Sequence, residues 1–237
     1  MKAVLLAAGR GTRLAPLTEA IPKILAPLGG RSLLAHQLDY LARNGVSAVA
    51  VNVHHFADAV VSELERLDPP LEVRVSRESE LLGTAGALVP LEDFLNEPFV
   101  VLYGDVVTSV PLAELAVQHR RRRPLATLAY YDSVDVEEKG LLELDDDDRI
   151  LGFSEKPESR HRGVGHVNAG IYVLEPRIRS FIAVGKPQDF GHDVWPRALA
   201  AGETLRGARI GGYLRDIGSV EALDRARADI AGGALVW

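Results

Sequence analysis

The chain has 237 residues, 47% of them hydrophobic and 25% charged, enough apolar content for the core of one sizeable α/β domain. A formal net charge of −6 argues against sequence-independent nucleic-acid binding, which needs extended positive surface. The absence of cysteine excludes disulfides, cysteine-based zinc sites and a thiol nucleophile, and suits a cytoplasmic protein.

The first expected element is a buried strand over Ala3–Ala8, too short for a signal peptide or a membrane span. It stops at Gly9-Arg10-Gly11-Thr12-Arg13, a loop suited to phosphates. Glycines let backbone N–H groups approach an anion, and arginines offer paired, charge-assisted hydrogen bonds. Pro22-Lys23 adds a second, point-like cation. After a turn at Gly29-Gly30, Ser32 is a good N-cap for a helix whose apolar face is Leu33, Leu34, Leu38 and Leu41. Val46–Val53 reads as a strand buried on both faces, Phe56–Leu67 as an amphipathic helix and Leu71–Val75 as a short strand. Gly86–Leu95 is expected to be helical, and Pro98–Tyr103 to be a buried strand ending in Gly104-Asp105.

This βαβαβαβ order predicts an α/β fold, a Rossmann-like doubly wound, mixed but mostly parallel sheet whose ligands bind beyond the carboxyl ends of the strands. Leu112–Arg122 follows as a helix, and Leu125–Tyr131, Gly140–Leu144 and Ile150–Ser154 as strands of a β-rich insertion over about residues 125–165. Ala169–Leu174 is a further core strand, Val194–Ala201 a helix, Leu205–Ala208 and Gly212–Asp216 short strands, and Val220–Ile230 a closing helix. One domain over residues 1–237 is expected, without an internal repeat or a C-terminal β-helix.

Spacing narrows the chemistry of the first loop. Leu14 stands where a dinucleotide fingerprint wants a third glycine or alanine, and the loop lacks the G-K-[ST] ending of a P-loop. Asp105 directly follows a buried strand, and Asp216 again lies at the end of a short strand.

The stretch LAAGRGTRLAPLTEAIPK resembles the signature of the sugar-1-phosphate nucleotidyltransferases, also called nucleotide-sugar pyrophosphorylases. The resemblance continues in order through Leu82-Gly83-Thr84-Ala85-Gly86, Gly104-Asp105, Glu155-Lys156-Pro157, Asn168-Ala169-Gly170-Ile171-Tyr172 and Asp216-Ile217-Gly218. It implies a GT-A-like fold and a Mg²⁺-dependent reaction joining a nucleoside triphosphate to a sugar 1-phosphate, with release of pyrophosphate. The implied nucleotide site is Leu6, Ala7, Ala8, Gly9, Gly11, Thr12, Arg13, Gly83, Thr84 and Gly104. Arg13, Lys23 and Lys156 are the implied catalytic cations, Asp105 and Asp216 the metal ligands, and Gly140, Glu155, Lys156 and Asn168 the sugar-phosphate contacts. Lys139 stands before Gly140 where many relatives have tyrosine.

The LGTAGAL form of Leu82–Leu88 looks more like guanylyl- and some uridylyl-transferring members than thymidylyl-type ones. The DFGHDVWPRAL run, Asp189–Leu199, resembles mannose-1-phosphate guanylyltransferase-like members. GTP with mannose 1-phosphate or a heptose 1-phosphate is therefore the first substrate pair. The alternatives are uridylyl, thymidylyl or cytidylyl transfer to another hexose 1-phosphate, transfer to a phosphorylated acceptor such as phosphocholine, and a silent regulatory subunit that binds nucleotide sugars. No nucleic-acid or membrane partner is expected, and homo-oligomerisation is left open. The basic run His119–Arg123 reads as a solvated helix end, Asp145–Asp148 as a polar turn, His54 and His55 as lacking a third zinc ligand, and Trp195 and Trp237 as packing residues.

Overall fold

The computed structural model describes residues 1–137, 139–155 and 163–235. By internal contacts the chain divides into two compact units. Met1–Leu81, Leu102–Pro111 and the residues from Gly212 onward form one, and Leu82–Val101 with Leu112–Gly211 the other.

In the first unit, strands Lys2–Leu6, Ala48–Val53 and Glu72–Arg77 run parallel, with Lys2 opposite Ala48 and Ala48 opposite Glu72. Every residue of Ala48–Val53 is buried, as a nearly unbroken apolar run requires of a strand covered on both faces. Helix Leu33–Arg43 begins where expected. The Ser32 hydroxyl accepts the Ala35 N–H at 3.2 Å, a cap worth about 1 kcal/mol. Helix Ala57–Leu67 follows Phe56, which sits in left-handed backbone at φ 54° and so cannot itself be helical. Two short antiparallel ladders were not expected: Pro27–Leu28 with Arg31–Ser32, and Val106–Thr108 with Leu214–Asp216. The closing helix Val220–Ala231 is capped by Ser219, whose hydroxyl accepts the Ala222 N–H at 3.2 Å.

The second unit holds a mixed sheet. Strand Ala126–Ser133 is antiparallel to Gly165–Leu174 and parallel to Leu205–Arg209, while Gly165–Leu174 also meets Leu141–Leu144, the partner of Ile150–Ser154. The strand expected from Ala169 thus begins at Gly165, because His166 and Val167 pair on both sides. In place of the expected Gly86–Leu95 helix there is a single helical turn ending at Gly86, Gly83–Gly86, and a 3₁₀ turn, Val89–Leu91. Pro90 lacks the N–H that a continuing helix needs. Helix Trp195–Ala200 is shorter than expected and is preceded by a π turn, Phe190–Val194. Its core is aromatic. Phe190 stacks on Trp195 with ring centroids 4.8 Å apart, and Tyr172 meets both rings edge-on. Trp195 is therefore a packing residue, whereas Trp237 lies outside the described residues.

The reading of His119–Arg123 as a solvated helix end needs correction at its first residue. Helix Leu112–Arg122 ends there, but His119 is 1% exposed. Its Nδ1 lies 2.9 Å from Thr127 Oγ1 and its Nε2 3.3 Å from Glu175 Oε1, a carboxylate oxygen that can only accept while ionised, which favours the tautomer protonated at Nε2. Burial lowers the imidazole pKa from 6.5, against the opposing pull of Glu175. A group with a depressed folded pKa stabilises the fold above its unfolded pKa and loses that contribution as pH falls through the folded value. Stability should therefore decline as pH drops below about 6.5, and His119→Gln should flatten the decline. Urea unfolding from pH 7.5 to 5 reads the effect; an unchanged slope in the variant would remove His119 from the account.

Candidate active site

The residues expected to carry chemistry fall in both units, and each group is built by its own surroundings. In the first unit, strand Lys2–Leu6 delivers the chain to a loop in which Gly9, Arg10, Thr12 and Arg13 face solvent. Ala7 ties that loop to the sheet: its N–H donates to Asn52 Oδ1 at 2.7 Å, and Asn52 Nδ2 donates to Glu78 Oε1 at 2.7 Å. Gly11 adopts left-handed backbone at φ 61°, a conformation open to glycine at little cost, and opens the 3₁₀ turn Thr12–Leu14. The Thr18 hydroxyl donates to Gly11 O at 2.9 Å. A Cβ on Gly11 would lie 3.0 Å from both Thr18 Cγ2 and Lys23 Cβ, so the loop closes onto Lys23.

The two acids converge beside it. Gly104 N–H donates to Leu6 O at 2.9 Å, which sets Asp105 next to the end of the first strand. Helix Leu33–Arg43 holds that corner: Gln37 Nε2 donates to Tyr103 O at 3.2 Å and Val106 O at 3.0 Å, and the Tyr40 hydroxyl donates to Val110 O at 2.6 Å. Asp216 stands opposite Val106 in the antiparallel ladder, and the Ile217 N–H donates to Asp105 O at 2.9 Å. Lys23 Nζ reaches Asp105 Oδ2 at 2.7 Å, with side-chain exposures of 12% and 26%. Asp216 Oδ1 accepts the Gly218 N–H at 2.6 Å, and a Cβ on Gly218 would lie 2.8 Å from an Arg13 guanidinium nitrogen.

Burial of the Asp216 carboxyl, then the charge of Asp105, pushes its pKa above the usual carboxylate value, while Lys23, the Gly218 N–H and Arg13 pull it down. The residue still presents exposed surface. Two neighbouring carboxylates partly compensated by cations form an oxygen donor set for a hard divalent ion. No cluster of three His, Cys, Asp or Glu residues occurs among the described residues. A pair fits Mg²⁺, which commonly takes one or two carboxylates together with water and substrate phosphates.

In the second unit, Gly140, Glu155 and Asn168 are brought together. The Asn168 N–H donates to Gly140 O at 2.9 Å, and a Cβ on Gly140 would lie 3.4 Å from Glu155 Oε1. The Asn168 amide is already engaged, donating to the Tyr172 hydroxyl at 2.8 Å and accepting the Gly170 N–H at 3.3 Å. Lys139 turns to Asp135, with Nζ–Oδ2 at 3.0 Å. Lys156 lies outside the described residues. Gly83 and Thr84 begin the turn Gly83–Gly86, whose Thr84 hydroxyl donates to Asp189 Oδ1 at 2.9 Å.

The family model described as "Nucleotidyl transferase" matches residues 2–232. The chain belongs to this nucleotidyl transferase family. A probable mannose-1-phosphate guanylyltransferase 1 from Oryza sativa subsp. japonica is 34% identical over 226 residues, covering 92% of this chain. A UTP–glucose-1-phosphate uridylyltransferase from Synechocystis is 30% identical over 237 residues, covering 93% of this chain. The chain spans 61% of the length of each of these relatives. A crystal structure of HddC from Yersinia pseudotuberculosis complexed with GMP-PN superposes with a TM-score of 0.82 at 25% identity, over 97% of this chain and 99% of that one. The α/β fold with a mixed, mostly parallel sheet is thus that of the nucleotidyl transferases.

Family motifs drew attention to the loop, the acids and Glu155, but not to the side chains that hold them. Gln37, Asn52 and Tyr40 read in the sequence as helix or strand positions and nothing more. A polar residue inside an otherwise apolar run, as Asn52 is in Ala48–Val53, was the one available signal.

Proposed function

We propose that the protein is a nucleotidyltransferase that joins a nucleoside triphosphate to a sugar 1-phosphate, GTP with mannose 1-phosphate or a heptose 1-phosphate standing first. The carrying observation is the cluster of Lys23, Asp105, Asp216 and Arg13 at the mouth of the glycine loop. A phosphate oxygen of the sugar 1-phosphate attacks the α-phosphorus, the bond from that phosphorus to the bridging oxygen breaks, and pyrophosphate departs. No protein nucleophile is needed, so the chain contributes alignment of two polyanions and stabilisation of developing charge. Gly9, Gly11 and Thr12 surround the triphosphate, Arg13 meets its departing end, and Lys23 serves the α-phosphate. Asp105 and Asp216 would hold Mg²⁺, which supplies Lewis-acid charge neutralisation at the phosphates. Glu155 and Asn168 face the sugar, with Lys156 at its phosphate. Both units are read as parts of one nucleotidyltransferase domain, supported by a family match that runs from residue 2 to 232.

The guanylyltransferase relative at 34% identity supports GTP and mannose 1-phosphate. The uridylyltransferase at 30% identity supports UTP with glucose 1-phosphate as the second reading. Purified protein should release pyrophosphate when given Mg²⁺ and the matching pair from a matrix of nucleoside triphosphates and sugar 1-phosphates. Silence across the whole matrix would refute the assignment.

A further inference from the structure

The run Gln188–Val194 touches two groups of residues in the second unit, the turn Gly83–Gly86 and Glu155. Its backbone brackets the turn Gly83–Gly86: the Ala85 and Gly86 N–H groups donate to Gln188 O at 2.9 and 3.1 Å, and the Gln188 N–H donates to Leu82 O at 2.8 Å. Gly83, at φ 77°, lies so close that a Cβ there would stand 2.8 Å from the Gln188 carbonyl carbon. Asp189 then locks the turn. Its Oδ1 accepts both the Thr84 N–H at 3.0 Å and the Thr84 hydroxyl at 2.9 Å, and Thr84 Oγ1 in turn accepts the Phe190 N–H at 3.0 Å. Asp193 Oδ2 accepts the Asp189 N–H at 2.8 Å, which fixes Asp189 itself. The Thr84 hydroxyl and the Thr84, Ala85 and Gly86 N–H groups are therefore used within the fold, which fixes the shape of the turn.

Two residues further on, Gly191 lies against Glu155. A Cβ at that position would stand 2.6 Å from Glu155 Cγ and 2.7 Å from Cδ, distances no side chain accepts without moving the glutamate. Between these contacts, the Phe190 ring packs edge-on against Tyr172, 5.4 Å between centroids, and the Tyr172 hydroxyl accepts the Asn168 amide.

We propose that Gln188–Val194 is one positioning element with two separable ends, Asp189 setting the backbone of Gly83–Gly86 for the nucleotide and Gly191 setting Glu155 for the sugar. This rests on the nucleotidyltransferase reading above. None of these contacts requires Asp189, Thr84 or Gly191 to touch substrate.

The test is a pair of KM values for each variant, measured with the best substrate pair of the wild-type protein. Gly191→Ala should raise the KM of the sugar 1-phosphate about tenfold and leave that of the nucleotide within twofold. Asp189→Ala should do the opposite, and Thr84→Val should follow it in direction, with the double variant no worse than Asp189→Ala alone. Asp189→Asn keeps the accepting oxygen and should restore the nucleotide KM to within twofold of wild type. A general loss of packing would move both KM values together and would not be rescued by asparagine; either result overturns the proposal while leaving the reaction assignment intact. A wild-type protein silent with every pair overturns both. Should Gly191→Ala lose its far-ultraviolet dichroism, the contrast between Asp189→Ala and Asp189→Asn decides alone.

Discussion

Asp216→Asn is expected to lower kcat by about a thousandfold or more, and Asp105→Asn by a similar factor, because each removes half of the charge that would bind Mg²⁺. Asparagine keeps the oxygen that accepts the Gly218 N–H, so the Asp216 substitution tests charge rather than folding. It also relieves the repulsion that Asp105 exerts on Asp216, and thermal stability should hold or rise slightly. Pyrophosphate release over a Mg²⁺ titration makes the measurement. A variant that keeps a tenth of wild-type turnover at ordinary Mg²⁺ would mean that the acid pair serves only the fold.

Lys23→Met is expected to cost about a hundredfold or more in kcat/KM, with the larger share in kcat. Methionine preserves the apolar stem that packs near Gly11 but leaves two carboxylates facing each other without their nearest cation. Breaking a partly buried pair of this kind should also lower stability, by about 1–3 kcal/mol once solvent screening is allowed for. The two losses separate experimentally. Added Mg²⁺ should restore stability by replacing the missing charge, but should not restore turnover, because the ion cannot also occupy the place of the ammonium beside the reacting phosphate. Recovery of both by Mg²⁺ would reduce Lys23 to a counterion.

The sequence carried the layout of these groups further than their support. Apolar runs and caps disclosed the parallel strands and the helices Leu33–Arg43, Ala57–Leu67 and Leu112–Arg122, because period and capping are local properties. The short strand ending at Asp216 was expected, but its pairing with Val106–Thr108 was invisible, since register between strands far apart in the chain is not a local property. The break at Pro90 was legible in the residue itself, which lacks an N–H, whereas the π turn before Trp195 is tied by contacts distant in sequence, the Phe190 N–H to the Thr84 hydroxyl among them. His119 was misjudged because four neighbouring cations suggest a wet surface, while a single imidazole can turn inward on the same helix. Glu155 and Asn168 were legible through their motifs, but the engagement of the Asn168 amide with Tyr172 was not.

The ladder between Val106–Thr108 and Leu214–Asp216 also orders events in time. During synthesis the glycine loop, Lys23 and Asp105 leave the ribosome long before Asp216, so a nascent chain carries the loop and one acid without the second. The proposed metal pair is then complete only after Leu214 has emerged and paired with Thr108. On the nucleotidyltransferase reading, a chain interrupted before Asp216 would keep the parallel strands of the first unit and lack half of the proposed metal site.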